Sequence, residues 1–528
     1  LGFIVGLKRK RACCCRHSAV SSGLAEDQLL KILEYQLMPS YLQLERDGAT
    51  PLPEQIYRQL LGAIRAGHFG KVGRLPSSRA LAAELQVSRN TVNAAYELLR
   101  AEGVVAVKAG AAPAILPGTG DALKTADRPP VAMDKAPLLS ARGLALCANV
   151  RAAAYSRPDG LLQPGVPDEA LFPRDLWARS LRRAARSVVG RQAVYDHFEG
   201  LPVLRQVLAR YLAAERGVVA GEEQIIVTGS SQAALALIAL CLAEPGETVW
   251  MEEPGYLGAR AAFAAAGLTL RPLPVDVEGA NPAGLEAAVA EGREAAPRLI
   301  YLTPSHQYPT GARMMLPRRL ALLEAARRLG AMVVEDDYDS EFLWRGRPLA
   351  ALQGLGQAGE VIYLATSAKS LLPGLRLAYM AVPAPLAAPM RLALRNLGAL
   401  ANVHAQAALA DFIDAGHYRA HLRRIARSYE ERCLMLVAAL QAELGPDLQI
   451  EPPTGGLQLA LRLPSGTDDF ALSRALAAKG YSVPALSAYY LGPSLPGLLI
   501  GFGAITPALA GRFAATLAGL LEAAGLSQ

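Results

Sequence analysis

Five short apolar runs punctuate the chain beyond residue 220: Ile225-Ile226-Val227, Thr248-Val249-Trp250-Met251, Leu299-Ile300-Tyr301-Leu302, Met332-Val333-Val334 and Val361-Ile362-Tyr363-Leu364. Their continuous apolar character predicts buried strands. Each run gives way to polar and turn-forming residues. The first leads into Thr228-Gly229-Ser230-Ser231-Gln232 and then an alanine- and leucine-rich segment over 233–243, the pattern of strand, turn and helix. In an open parallel sheet the carboxyl ends of the strands share one rim, where ligands bind. The polar residues after all five runs are therefore expected to face one crevice.

Nearer the start the period changes. Ile56, Leu60 and Ile64 recur at i, i+4 and i+8, which predicts a helix ending near Gly67. The stretch Leu75-Pro76-Ser77-Ser78-Arg79 offers an N-cap serine to a second, short helix over 81–85. Gln86-Val87-Ser88 makes a tight turn, and Ser88 can cap a third helix with Val92, Tyr96 and Leu99 on one face. This is helix-turn-helix spacing. Arg89, Asn90 and Thr91 then occupy the first turn of the helix that would meet base edges, while Ser78 and Arg79 open the preceding helix near a backbone phosphate.

The candidate chemistry gathers at the rim. Lys369, within Thr366-Ser367-Ala368-Lys369-Ser370, sits on a loop directly after a buried strand, where lowered basicity would let its amine condense with an aldehyde. Most loop lysines are merely solvated. What changes the balance is the set of partners upstream: the helix start at Ser231 and Gln232, whose amides can cradle a phosphate, the segment Glu252-Glu253-Pro254-Gly255-Tyr256, and the acidic run Glu335-Asp336-Asp337-Tyr338-Asp339.

Length and charge narrow the class. A chain of 528 residues is too long for one ordinary core and implies two or more domains. The formal net charge of +7 permits an anionic partner such as nucleic acid. The stretch 229–243 is too short to span a bilayer, so no membrane association and a cytoplasmic location are expected. The six cysteines, three of them consecutive at Cys13-Cys14-Cys15, lack paired spacing, so neither a disulfide framework nor a metal site is expected. Residues 117–139, rich in Pro, Gly and charge, read as a flexible linker.

The motifs Gly229-Ser230-Ser231-Gln232, Glu252-Glu253-Pro254-Gly255-Tyr256, Pro304-Ser305-His306-Gln307-Tyr308-Pro309-Thr310-Gly311, Glu335-Asp336-Asp337-Tyr338-Asp339 and Lys369 followed by Pro373-Gly374-Leu375-Arg376 together resemble the MocR subfamily of GntR-type transcriptional regulators. The stretch from Leu75 to Val92 likewise resembles the GntR winged helix. The resemblance covers most of residues 41–525. It implies an α/β protein with a winged helix-turn-helix domain over 41–116 and a fold-type I aminotransferase-like domain over 140–528, the latter with a mainly parallel sheet and a small C-terminal α/β lobe. Residues 1–40 are expected to be a non-native or disordered extension, with a natural start near Met38.

The same resemblance implies pyridoxal 5'-phosphate as cofactor, held as a Schiff base on Lys369. Asp336 would face the ring nitrogen, Tyr338 the 3-oxygen, and Tyr256 the ring; Thr366, Arg376 and the amides of Ser231 and Gln232 would take the phosphate. Tyr195 matches a tyrosine that reaches the partner subunit's cofactor in a head-to-tail homodimer. Ser78, Arg79, Ser88, Arg89, Asn90, Thr91 and, from the wing, Lys108 would contact double-stranded DNA.

Departures from the pattern include the wing, where Lys108-Ala109-Gly110-Ala111-Ala112-Pro113 replaces a polar glycine-rich tip, and Tyr308, which stands where aminotransferases carry Asn. The expected function is regulation of transcription by sensing pyridoxal phosphate or an amine effector. The alternative is an active aminotransferase with an accessory DNA-binding domain. The C-terminal run Leu498-Leu499-Ile500-Gly501-Phe502 lacks the arginine with which transaminases anchor a substrate carboxylate, which favours sensing. A third reading, a scaffold that has lost its cofactor, is disfavoured by the retention of Lys369, Asp336 and Arg376.

Overall fold

The structure, a computed structural model, describes residues 42–69, 73–108, 111–117, 139–147, 160–190, 197–345, 349–356, 359–445 and 450–525. The expected extension at 1–40, nearly all of the expected linker, and Tyr195 lie outside these residues. The chain divides into two compact units between residues 138 and 139.

In the first unit, helices α1 (Leu52–Arg65), α2 (Ser78–Leu85) and α3 (Arg89–Ala101) precede a small antiparallel hairpin, β1 (Val105–Ala106) and β2 (Ala114–Ile115). The periodic apolar positions explain the packing. Ile56, Leu60 and Ile64 are buried against Leu81, Val92, Tyr96 and Leu99 in one core. Ser77, the first of the two adjacent serines, caps α2 by accepting from the Ala80 amide. Ser88 caps α3 in the same way with the Thr91 amide, after a turn in which Gln86 adopts a left-handed φ of 52°. The Tyr96 hydroxyl donates to the Pro76 carbonyl, tying α3 to the entrance of α2.

The second unit is built on an eight-stranded sheet of order β3-β10-β9-β8-β7-β4-β5-β6. Its strands are β3 (Ile225–Thr228), β4 (Thr248–Glu253), β5 (Thr269–Asp276), β6 (Gly279–Ala280), β7 (Pro297–Leu302), β8 (Met332–Asp337), β9 (Val361–Thr366) and β10 (Ala378–Ala381). The run β9-β8-β7-β4-β5 is parallel, and β10 enters antiparallel between β9 and β3. Consequently β3 runs with the parallel strands, and all five predicted strands end on one rim. Because β10 starts where β3 and β9 finish, with Ala378 opposite both Thr228 and Thr366, it delivers the loop before it to the same rim.

Helices cover both faces: α4 (Ala141–Cys147), α5 (Arg174–Ser187), α6 (Pro202–Arg216), α7 (Ser231–Leu242), α8 (Leu257–Ala265), α9 (Ala283–Ala290), α10 (Leu316–Leu329), α11 (Leu352–Leu355), α12 (Ala384–Leu397) and α13 (Val403–Asp414). The continuous apolar strands are explained by this double burial. Along β9, Ile362 and Leu364 pack into the cluster of α7, α8 and α12, whereas Tyr363 and Ala365 face the cluster containing α6 and α13. The 28-residue α14 (His417–Leu444) leads to a C-terminal lobe, in which β11 (Gln458–Arg462) and β12 (Gly497–Gly501) pair antiparallel beside α15 (Asp469–Ala478) and α16 (Pro507–Ala523). Among the described residues no helix is long and apolar enough to cross a membrane.

Candidate functional site

The strand pleat sorts the acidic run at the end of β8. Successive side chains point to opposite faces, so Glu335 and Asp337 go to one side and Asp336 to the other. Asp337 meets Arg216 at the end of α6, with Nε to Oδ2 at 2.7 Å, and accepts from the Tyr363 hydroxyl at 2.7 Å. Glu335 accepts the amides of Leu352 and Gln353 at the start of α11. Asp336 instead faces an open cleft of about 470 Å³ at the rim. Its Oδ2 accepts from the Tyr301 hydroxyl at 2.7 Å, while Oδ1 is buried without a partner.

Lys369, Asp336, Tyr338, Tyr256, Thr366, Arg376, Ser231 and Gln232 all line this cleft. Lys369 Nζ donates to the Gly165 carbonyl at 2.6 Å. Only glycine fits at 165: its φ is +68°, and a Cβ there would stand 2.9 Å from Nζ. At the opposite end α7 begins. Ser230 Oγ accepts from the Ala233 amide, and the amides of Ser231 and Gln232 precede the first intrahelical bond, at the positive end of a twelve-residue helix dipole. Arg376, exposed and left-handed at φ 53°, stands on the same wall. Thr366 Oγ1 accepts from the Ala368 amide and donates to the Leu377 carbonyl, so it braces the lysine loop as well as bordering the cleft.

Tyrosines form the remaining wall. Tyr308 packs edge-on against Tyr256, Tyr338 and Tyr489, with centroids 5.5 to 5.7 Å apart. The Tyr338 hydroxyl accepts from Gln458 Nε2 and lies 3.2 Å from His306 Nδ1, which in turn pairs with Asp339 Oδ2 at 2.8 Å. Sequence reasoning did not single out Gly165, Tyr301 or Gln458. Tyr301 was within reach as the polar-tipped residue near the end of the predicted strand 299–302; Gly165 and Gln458 come from segments about two hundred and ninety residues apart, with no local signal.

The electrostatics follow from burial. Asp336 is pushed up to about 7, chiefly by desolvation; the Tyr301 hydrogen bond and the Lys369 charge oppose this, and the charges of Asp337 and Asp339 add to it. Glu252, buried beside the cleft residue Thr303, is also pushed to about 7 by burial, against hydrogen bonds from Thr303 and Gln307. Asp337 goes the other way: burial raises it, but Arg216, Ser340 and Tyr363 pull it below the usual carboxylate range. A carboxyl whose pKa is raised on folding contributes stability that is full below the unfolded value near 4 and is lost as pH rises through about 7. The cofactor-free protein should therefore melt at progressively lower temperature between about pH 4 and pH 7, measured by calorimetry in matched buffers.

The DNA-binding candidates divide by exposure. Arg79, Arg89 and Asn90 are exposed on the first turns of α2 and α3, with Arg89 Nε donating to Ser78 Oγ at 3.2 Å. The Ser88 and Thr91 hydroxyls pair with each other at 2.8 Å and belong to the helix cap. Lys108 is exposed just beyond β1.

Comparisons with known proteins agree with both units. The family described as aminotransferase class I and II matches residues 173–513, and the gntR family of bacterial regulatory proteins matches residues 52–115. The chain is 39% identical over 468 residues to a probable rhizopine catabolism regulatory protein, MocR, of Rhizobium meliloti, covering 88% of this chain and 93% of that one. It is 30% identical over 459 residues to the pyridoxine biosynthesis transcriptional regulator PdxR of Corynebacterium glutamicum, covering 86% and 92%. Among solved structures, Pyrococcus horikoshii kynurenine aminotransferase in complex with PMP is similar with a TM-score of 0.65 and 26% identity, over 74% of this chain and 96% of that one.

Proposed function

From the premise that the chain belongs to the MocR-type regulators of the GntR family, we propose that it is a pyridoxal-phosphate-dependent transcriptional regulator whose cleft reads an amine signal. Its DNA partner is engaged by α3, and it works in the cytoplasm as a homodimer. The observation that carries the cofactor assignment is the lone Oδ1 of Asp336. A buried acceptor without a donor costs roughly 1–3 kcal/mol, and a protonated ring nitrogen supplies that donor.

The other contacts fit the same molecule. Bound pyridoxal phosphate supplies an aldehyde that condenses with amines and a ring that withdraws electrons. Lys369 provides the amine, held toward the cleft by the Gly165 carbonyl. The amides of Ser231 and Gln232, together with Thr366 and Arg376, bind the phosphate; a guanidinium can offer it two parallel donors. Tyr256 covers the ring, and Tyr338 is oriented by Gln458 and His306 beside the 3-oxygen. Asp336, poised near neutrality by its burial, is pulled to the charged form by a cationic ring.

Regulation rather than turnover is supported by the C-terminal strand. Leu498, Leu499 and Ile500 of β12 are fully buried and apolar, and bring no cation to the cleft. Substitution of Arg89 by Ala tests the regulatory reading. Affinity for the cognate promoter should fall by about 10- to 100-fold, as expected for loss of a base or phosphate contact worth roughly 1–3 kcal/mol. Cofactor uptake should be unchanged. Binding can be followed by fluorescence anisotropy and uptake by visible absorbance. Sustained exchange of amino groups between amino and keto acids at ordinary enzymatic rates would instead establish an aminotransferase.

A further inference from the structure

Ser370, the residue after Lys369, is gripped from outside the cleft at both its side chain and its backbone. It is only 1% exposed. Its Oγ lies 2.7 Å from the Tyr418 hydroxyl, and its carbonyl 2.8 Å from His421 Nε2. Both partners come from the start of α14, three residues apart and therefore on one face of the helix. The Tyr418 hydroxyl also lies 2.9 and 3.0 Å from the two carboxyl oxygens of Glu341, in the turn after β8, and Tyr211 of α6 donates to Glu341 Oε1 at 2.9 Å. The lysine loop, α14, the end of β8 and α6 thus meet in one chain of hydroxyls and a carboxyl. None of these side chains lines the cleft.

The proton positions follow from the partners. Arg424 Nη2 lies 3.2 Å from His421 Nδ1, and a guanidinium has only donors, so Nδ1 accepts and Nε2 carries the hydrogen that goes to the Ser370 carbonyl. Burial pushes the His421 pKa down to about 4, which keeps the ring in this neutral form at pH 7. While Glu341 is a carboxylate, Tyr418 donates to it and Ser370 donates to Tyr418. Desolvation pushes Glu341 up to about 7, against the hydrogen bonds from Tyr418 and Tyr211, and the Asp337 charge adds to the rise. Once protonated, the carboxyl can donate to Tyr418, whose own hydrogen then turns to Ser370. The chain reverses direction and stays closed.

We propose that Tyr418, anchored by Glu341 and assisted by His421, is the positioning residue for Lys369, fixing the loop that presents the amine to the cleft and to the Gly165 carbonyl. Lys369 and Ser370 share a peptide unit, and the Leu371 amide bonds back to the Ser367 carbonyl, so a fixed Ser370 closes the turn around the lysine. The setting of the amine stands on these contacts; what the amine captures rests on the cofactor reading above. If the same contacts served stability alone, their loss would loosen the fold without altering the amine.

The test uses the full-length protein in two states. Without cofactor, a short pulse of acetic anhydride at neutral pH, mapped by mass spectrometry, reads how often the Lys369 amine leaves its carbonyl partner. With cofactor, the pH midpoint of the visible band reads the setting of the same nitrogen. Ser370→Ala and Tyr418→Phe each delete one hydroxyl of the pair. Each should raise Lys369 labelling by about fivefold, as for one lost hydrogen bond, and both should move the midpoint the same way by about 0.7 of a pH unit, the same energy on the pH scale. The double variant should do no more than either single one, because all three break one contact. Labelling and midpoint unchanged in both single variants, or effects that simply add, overturn the inference, while a coloured wild type leaves the cofactor reading intact. A wild type without a Lys369-dependent band overturns the cofactor reading; raised labelling in the variants then still upholds the clamp, and unchanged labelling overturns it too.

Discussion

Replacing Lys369 with alanine is expected to abolish the protein's yellow colour and its response to effector, while leaving a folded chain that still binds DNA. The structural change is small. Lys369 is half-buried and donates to the Gly165 carbonyl, and a hydrogen bond of this kind contributes about 1 kcal/mol. The chemical change is large, because no other lysine lines the cleft among the described residues. The phosphate contacts at Ser231, Gln232 and Arg376 remain, so cofactor can still associate, though without a covalent tether. The Lys369 charge also holds the Asp336 pKa down. Its removal pushes that carboxyl further up and leaves it more protonated at neutral pH, weakening its hold on a cationic ring. Absorbance and promoter anisotropy, each measured with and without amine, check the expectation. A variant that keeps a dialysis-resistant visible band would sink the assignment.

The outcome would also separate the two units, since α1, α2 and α3 have their own core and none of its members comes from the cofactor domain. Much of this organisation was legible in the sequence because burial leaves a strong pattern. Ile56, Leu60 and Ile64, four residues apart, line one face of a helix, and the run 361–364 is apolar at every position because helices cover both sides of β9. Lys369 and Asp336 could be found because each directly follows or ends such a run.

What could not be read depended on chain crossings. Nothing local announces that β10 lies antiparallel between β9 and β3, yet that placement brings Arg376 to the rim. Gln458 and Gly165 reach Lys369 from segments that share no motif with it. The acidic run 335–339 looked like one cluster, and the pleat divides its carboxylates among separate tasks: Glu335 accepts the first amides of α11, Asp337 pairs with Arg216, and Asp336 is the carboxylate of the run that lines the cleft.

That division makes Arg216 the residue outside the cleft whose loss should be felt most. Its Nε meets Asp337 Oδ2, Nη2 donates to Ser305 Oγ at 2.8 Å and Nη1 to the Leu349 carbonyl at 3.1 Å. The two charged side chains are 6% and 1% exposed. A buried pair adds little over a well-packed apolar one, but removing one partner strands the other and typically destabilises by about 3–5 kcal/mol. Arg216→Ala should lose about that much in denaturant titration.

The sign with pH is fixed by Asp337, whose pKa is depressed in the folded protein. Its contribution is present above the ordinary carboxylate range and fades as pH falls, so the difference between wild type and Arg216→Ala should be greatest at neutral pH and shrink in acid. Arg216→Met combined with Asp337→Leu should recover most of the loss, because neither charge is then left alone. If the single variant were as stable as wild type at neutral pH, the pair would not be holding β8 in place.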